Sequence, residues 1–95
     1  MRKIRPCDIC GDKASQVTLR ADYDTPLMVI TRSFRRLEDE PGHPFCFELV
    51  DRNDAPFPGV PVLCERCFLA ECNRVFARNR QATVGDFGAS LRRRN

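Results

Sequence analysis

Four cysteines, arranged as two Cys-x-x-Cys pairs, are the residues of this chain whose type and spacing suit a chemical role. Cys7 and Cys10 form the first pair, and Cys64 and Cys67 form the second. Two thiols at this spacing fit on one tight turn of backbone, and two such turns supply the four sulfur ligands of a tetrahedral zinc ion. Because four thiolates fill that coordination shell, no position is left for a substrate. We therefore expect one structural Zn²⁺, held by these four cysteines, in a protein that is not an enzyme.

Disulfide bonds and redox chemistry are the alternative uses of these thiols. Six cysteines in 95 residues would also suit a disulfide framework, but only in an oxidising compartment. The basic residues before the first pair are not followed by the apolar segment of a secretory signal, and no stretch approaches the ~18 apolar residues of a membrane span. We therefore expect a cytoplasmic protein with reduced thiols. A thioredoxin-like role needs only one pair, so two pairs favour metal binding.

The other cysteines and the single histidine give weaker signals. Cys72 lies on the apolar stripe of a predicted helix, which is typical of a buried thiol that packs in the core. His43 and Cys46 form a His-x-x-Cys pair that could replace one ligand or begin a partial second site. Cysteines and histidine together number seven, too few to close two four-ligand sites.

The segments that must position the two pairs show mainly β patterns before the second pair. Gly11 directly follows the first pair, where a positive φ lets the backbone turn its amides toward the thiolates. Residues 16–23 alternate apolar and polar side chains, residues 27–34 are rich in β-forming side chains, and residues 45–50 alternate again. These patterns predict three strands, with 27–34 as the return strand of a hairpin.

After the second pair the apolar residues recur at helical spacing, which predicts a helix over residues 65–81. The apolar stripe of this helix consists of Phe68, Cys72, Val75 and Phe76. The second pair then lies at the helix N-terminus, where free backbone N–H groups and the helix dipole stabilise thiolates.

These patterns divide the chain into two parts. Residues 1–81 are predicted to form a single zinc-binding domain, in which residues 24–59 are an inserted β-hairpin and loop. Gly85 and Gly88 interrupt the helical pattern, so residues 82–95 are expected to be an Arg-rich, mobile tail.

A knuckle, a β-hairpin and a helix whose first turn carries the last two cysteines together resemble the treble-clef zinc finger. The nearest likeness is to the N-terminal zinc-binding domain of the ClpX unfoldase. Cys7-Asp8-Ile9-Cys10-Gly11 and Leu63-Cys64-Glu65-Arg66-Cys67 match the two pairs of that family, and Cys72-Asn73 is similar to its helical part, with the cysteine one position further along. The resemblance implies a structural zinc and a surface for partners, because such domains dimerise and receive adaptor proteins.

The spacing between the pairs departs from that family. Here 53 residues separate Cys10 from Cys64, whereas roughly 15–25 separate the pairs in most such fingers. The extra length is enough for additional strands. We therefore expect a small α+β fold, namely a treble-clef-like zinc finger with a knuckle, inserted antiparallel β-hairpins and one C-terminal helix.

Arginine is concentrated at the C-terminal end of the chain. Residues 1–72 contain ten basic and twelve acidic residues, a net charge of −2, whereas residues 73–95 contain six arginines and one aspartate, a net charge of +5. The planar guanidinium of arginine pairs bidentately with phosphate. The cluster therefore predicts a module that binds nucleic acid or a nucleoprotein machine through an Arg-rich helix and tail, and that grips phosphates along a duplex or structured RNA. Its candidate residues are Arg74, Arg78, Arg80, Arg92, Arg93 and Arg94.

A protein-interaction module is the alternative hypothesis. The acidic residues 1–72 would suit a basic partner, and Phe45 and Phe47 could offer an apolar patch. An adaptor, an inhibitor, an assembly subunit or a homodimer would all carry these features. The treble-clef resemblance does not choose between the two hypotheses, because fold does not determine function.

Overall fold

The computed structural model describes residues 4–11, 13–38 and 45–94, and this part of the chain forms a small α+β fold. Four strands make one mixed sheet in the order β1-β2-β3-β4, with three helices beside it. The elements in chain order are β1 (Ile4–Pro6), β2 (Lys13–Arg20), α1 (Leu27–Glu38), β3 (Phe45–Val50), β4 (Leu63–Cys64), α2 (Glu65–Arg78) and α3 (Val84–Arg94). The predicted α+β class is confirmed, and the treble-clef assignment stays a prediction.

The sheet combines antiparallel edges with a parallel centre. β1 pairs with β2 and β4 pairs with β3 in antiparallel fashion, whereas β2 and β3 run parallel, from Ser15 opposite Phe45 to Arg20 opposite Val50. Parallel strands cannot be joined by a tight turn and need a crossover connection, usually a helix. The predicted antiparallel hairpin within residues 24–59 is therefore wrong, because α1 lies between β2 and β3.

Helix α1 replaces the strand predicted over residues 27–34. Leu27, Ile30 and Phe34 are at most 3% exposed, whereas Met28 and Val29 are each 49% exposed. Buried positions at i, i+3 and i+7 follow the helical period, not the alternation of a half-buried strand. The β-forming side chains of Val29 and Ile30 misled the prediction, because burial on one helix face outweighs intrinsic propensity.

Helix α2 begins at the predicted residue and ends earlier than predicted. It starts at Glu65 and stops at Arg78, because Asn79 takes an extended conformation with φ −152°. The Asn79 side chain then accepts a hydrogen bond from the backbone N–H of Gln81 at 3.0 Å, which fixes the turn. Three members of the predicted apolar stripe are buried, namely Phe68, Cys72 and Val75, whereas Phe76 is only partly buried.

Helix α3 occupies the segment that was predicted to be a mobile tail. Its Phe87 and Leu91 are at most 1% exposed. The predictions of a mobile tail and of a single C-terminal helix are therefore both wrong. Both glycines lie within this helix, and Gly85 permits a close approach to another segment. A Cβ at Gly85 would lie 3.2 Å from the carbonyl oxygen of Tyr23, and a Cβ at Gly88 would lie 3.4 Å from Val60.

Four phenylalanines from four elements form the centre of the core. Phe68 of α2 stacks on Phe47 of β3 with ring centroids 4.5 Å apart. Its ring also lies 5.5 Å from Phe34 of α1 and 5.5 Å from Phe87 of α3. The helix that follows the second cysteine pair is therefore fixed against the sheet and both other helices.

An ion pair within α2, with its carboxylate buried, is hydrogen-bonded to α3. Glu71 is 1% exposed, and its carboxylate accepts hydrogen bonds from the Arg74 guanidinium at 3.2 and 2.9 Å. The same guanidinium donates to the Ser90 hydroxyl at 2.7 Å. Arg74 thus neutralises a buried carboxylate and connects it to α3.

Replacing Arg74 by leucine should destabilise the fold, because the buried Glu71 carboxylate then loses its cation. A buried polar group left without its partner costs about 1–3 kcal/mol. Replacing Glu71 by leucine as well should recover most of the loss, since no buried charge then remains. Urea unfolding of the two single variants and the double variant measures this. Equal stabilities for Arg74→Leu and the parent chain would contradict the assignment.

Candidate metal centre

Four thiols from the two ends of the domain meet at one point. The Sγ atoms of Cys7, Cys10, Cys64 and Cys67 all lie within 4.8 Å of one another, and the Cys10 and Cys64 sulfurs are 3.4 Å apart. Sulfurs at the corners of a zinc tetrahedron with 2.3 Å bonds are about 3.8 Å apart. The donor set and its spacing therefore fit a tetrahedral metal ion.

The first pair lies in the turn between β1 and β2. The backbone N–H of Gly11 donates to the Cys7 carbonyl at 2.9 Å, and Gly11 has φ +80°, as predicted. The backbone N–H of Ile9 points at the Cys7 sulfur at 3.4 Å. A turn of this shape places two thiols on one side and aims a backbone donor at one of them.

Asp8, inside the first pair, links that turn to the second pair. Its backbone N–H donates to the Val62 carbonyl at 2.9 Å, and its carboxylate accepts from the Val62 N–H at 2.8 Å. Val62 lies two residues before Cys64, so these bonds bring the two halves of the cluster together. Sequence reasoning missed this role, since an acidic residue within the pair carries no signal for its partner.

The second pair lies where β4 passes into α2. Cys64 ends the strand opposite Cys46 of β3 and is the N-cap residue of α2, with φ −72° and ψ 167°. Cys67 follows in the first turn of the helix. The predicted position at a helix N-terminus is confirmed, and there the helix dipole favours negative sulfur.

Protonation differs across the cluster. Burial raises the pKa of Cys7, but hydrogen bonds from the backbone of Cys10, Cys64 and Ile9 outweigh it and lower that pKa from 9.0 to about 6. Burial, together with the neighbouring thiols, raises the pKa of both Cys64 and Cys67. The Cys7 sulfur therefore loses its proton more readily, whereas at Cys64 and Cys67 the cation itself must displace the proton.

The other two cysteines are not members of the four-sulfur cluster. Cys46 is fully buried, donates its thiol to the Arg5 carbonyl at 3.3 Å and is not among the four clustered sulfurs. Cys72 is 1% exposed, and burial raises its pKa to about 12, which confirms the predicted packing role. His43 lies outside the described residues.

The six candidate arginines separate into different groups. Arg74 is held by Glu71, and Arg92 donates to the Pro58 carbonyl at 3.1 Å. Arg78, Arg80 and Arg93 are exposed and make no hydrogen bond or ion pair within the part of the chain that the structure describes. The side chain of Arg94 falls outside that part. Three of the six candidates thus remain available to a partner.

Two grooves flank the C-terminal half of α2 and contain these available arginines. Arg78 and Arg93 line the groove between α2 and α3, together with Asp86. Arg80 lines the groove between α1 and α2, where it is joined by Arg32. Sequence reasoning missed Arg32, because its segment was read as a strand. Arg32 likewise has no partner among the described residues. We call Arg32, Arg78, Arg80 and Arg93 the basic surface.

No protein-family model, curated protein or solved structure matches this chain. Within the described ranges, no helix has the length and apolar character that crossing a membrane requires.

Proposed function

We propose that this chain is a non-enzymatic zinc module that binds nucleic acid through its basic surface. Cys7, Cys10, Cys64 and Cys67 would hold one Zn²⁺, whose role is to join the β1–β2 turn to the start of α2. A closed four-sulfur shell gives stability to the fold and offers no site for catalysis. The nucleic-acid proposal depends on one observation, namely that the arginines of the basic surface have no acidic partner within the described residues.

The basic surface has no acidic partner within the described residues, whereas several other arginines do. Arg5, Arg20 and Arg52 each pair with an aspartate, at 3.3, 2.8 and 2.7 Å. Since the first 72 residues are net acidic, ion pairs were available during folding, yet the basic surface makes none within the described residues. Exposed, unpaired guanidinium groups that line the grooves on either side of α2 attract phosphates.

The zinc and the basic surface occupy opposite ends of α2. The helix has 14 residues, which corresponds to a length of about 20 Å. Cys67 lies in its first turn, whereas Arg78 ends it and Arg80 follows. The metal would therefore fix the orientation of the helix and would not contact the ligand.

Replacing Arg78 and Arg93 by glutamine should weaken nucleic-acid binding and flatten its salt dependence. Each lost phosphate contact lowers the slope of log K against log salt by about 1, so the double variant should lose about 2. The matched control is Arg20→Gln with Arg52→Gln, which removes the same charge from arginines already paired with aspartates. Fluorescence anisotropy with labelled RNA and DNA, repeated across salt, measures both variants.

Equal losses in the two double variants would contradict the proposal, because binding would then follow net charge alone. No binding to either nucleic acid at low salt would also contradict it. That result would favour the second candidate, a protein adaptor without nucleic-acid contact. Phe45 and Phe47 are buried and do not form the predicted apolar patch, but Met28 and Val29, each 49% exposed, offer apolar surface that supports this second candidate.

A further inference from the structure

The groove between α1 and α2 combines apolar and basic side chains in one concave surface. It encloses about 380 Å³. From α1 it is lined by residues at i, i+3 and i+4, and from α2 and the following turn by residues that continue one helix face. The lining residues are Met28, Thr31, Arg32, Asn73, Phe76 and Arg80.

The chemistry of this groove suits a ligand that is both flat and anionic. Met28 and Phe76 supply apolar surface, and Arg32 and Arg80 supply two cations without partners among the described residues. Asn73 is exposed and makes no hydrogen bond within the described ranges, so its amide can both donate and accept. Among the described residues, no acidic side chain lines this groove, whereas Asp86 lines the groove between α2 and α3.

We propose that this groove takes an unpaired nucleobase, with Arg32 and Arg80 on the phosphates beside it. Proteins bind single strands by combining apolar or aromatic platforms for bases with cations for phosphates. A base inside a duplex has both faces covered by its neighbours and cannot enter a groove of this kind. The inference rests on the proposed function and names its ligand class as single-stranded nucleic acid.

An acidic amphipathic peptide fits the same groove less well. A helix bound in a groove presents anchors at i, i+3, i+4 and i+7 and needs a continuous apolar strip to receive them. Of the described lining residues, Met28 and Phe76 are apolar, and the others are polar or charged. One base with its flanking phosphates matches a groove lined by two apolar side chains and two arginines.

Met28 and Val29 provide a matched pair of variants for the test. Both are 49% exposed in the first turn of α1, but only Met28 lines the groove. Met28→Glu and Val29→Glu therefore add the same charge at the same exposure. The probes are oligothymidylate, oligouridylate and a mixed-sequence duplex of equal length, measured by anisotropy, with thermal melting to check that both variants fold.

The parent chain should bind the single strands more tightly than the duplex. Met28→Glu should weaken single-strand binding about ten-fold or more, the loss expected for one stacked base, while Val29→Glu should change it about two-fold or less. Equal losses in both variants, or a preference for the duplex, would overturn the groove assignment. Arg78→Gln with Arg93→Gln would still report on the proposed function. Absence of binding to any of the three probes would overturn both.

Discussion

Replacing Cys10 by serine should abolish tight zinc binding and leave most of the chain unfolded. Cys10 is an exposed residue, so its substitution leaves no cavity in the core. The effect of the change is therefore confined to the metal. A structural zinc site contributes on the order of 10–16 kcal/mol, whereas a whole domain has a net stability of about 5–15 kcal/mol. Circular dichroism and the zinc content of the purified variant measure the outcome.

Cys46→Ala and Cys72→Ala are the controls for this result. Both remove a thiol from a buried position outside the cluster. They should retain one zinc per chain and remain folded, with a loss limited to packing and one hydrogen bond. A Cys10→Ser chain that stays folded with an unchanged melting temperature would show that the cluster is not needed for stability.

Replacing Phe68 by alanine should be the most damaging change in the core. Phe68 is 1% exposed and contacts the rings of Phe34, Phe47 and Phe87. Removing a buried phenylalanine side chain costs about 3–5 kcal/mol, since the transfer free energy is lost and a cavity is left. Urea unfolding of the zinc-saturated protein measures the loss.

Phe68→Leu is the matched control, because it retains most of the apolar volume. It should cost less than the alanine variant, by the volume that the leucine side chain still fills. If Phe68→Ala and Phe68→Leu were equally stable, the four-ring cluster would not be the centre of the core. If neither variant changed stability, the position of α2 against the sheet would be wrong.

The sequence predicted the metal cluster because its signals are local. A Cys-x-x-Cys pair defines its own turn, and Gly11 marks the positive φ that follows the first pair. The helical spacing after Cys64 fixed the start of α2 at Glu65. Strand β3 was also predicted with its observed bounds, since Phe45, Phe47 and Leu49 alternate with other residues.

The non-local features could not be predicted in the same way. The segment from Leu27 to Phe34 has strong β propensity, and only its burial against α2 and β3 shows that a helix is favoured. Gly85 looked like a break in the pattern, but the Tyr23 carbonyl that requires it lies far away in the sequence. Such constraints come from the packing of distant segments, which a single sequence does not display.

The sequence shows that arginines are concentrated near the C-terminal end of the chain. The structure separates those that already have partners from those that do not. Arg74 has a buried acid beside it, and Arg92 binds the carbonyl of Pro58. Arg32, which lies far from the cluster in sequence, joins Arg80 in one groove. Charge counting finds a basic segment, but only the fold shows which cations have already been neutralised.

Removal of the metal tests whether the four clustered cysteines hold a zinc ion that the fold requires. Zinc per chain is determined by elemental analysis of the reduced protein, and the folded state is followed by near-ultraviolet circular dichroism while a strong chelator removes the metal. We expect one zinc per chain, loss of the folded signal when the metal is removed, and recovery of that signal when one equivalent of Zn²⁺ is added. If the chain keeps its folded signal after complete removal of the metal, the zinc is not structural.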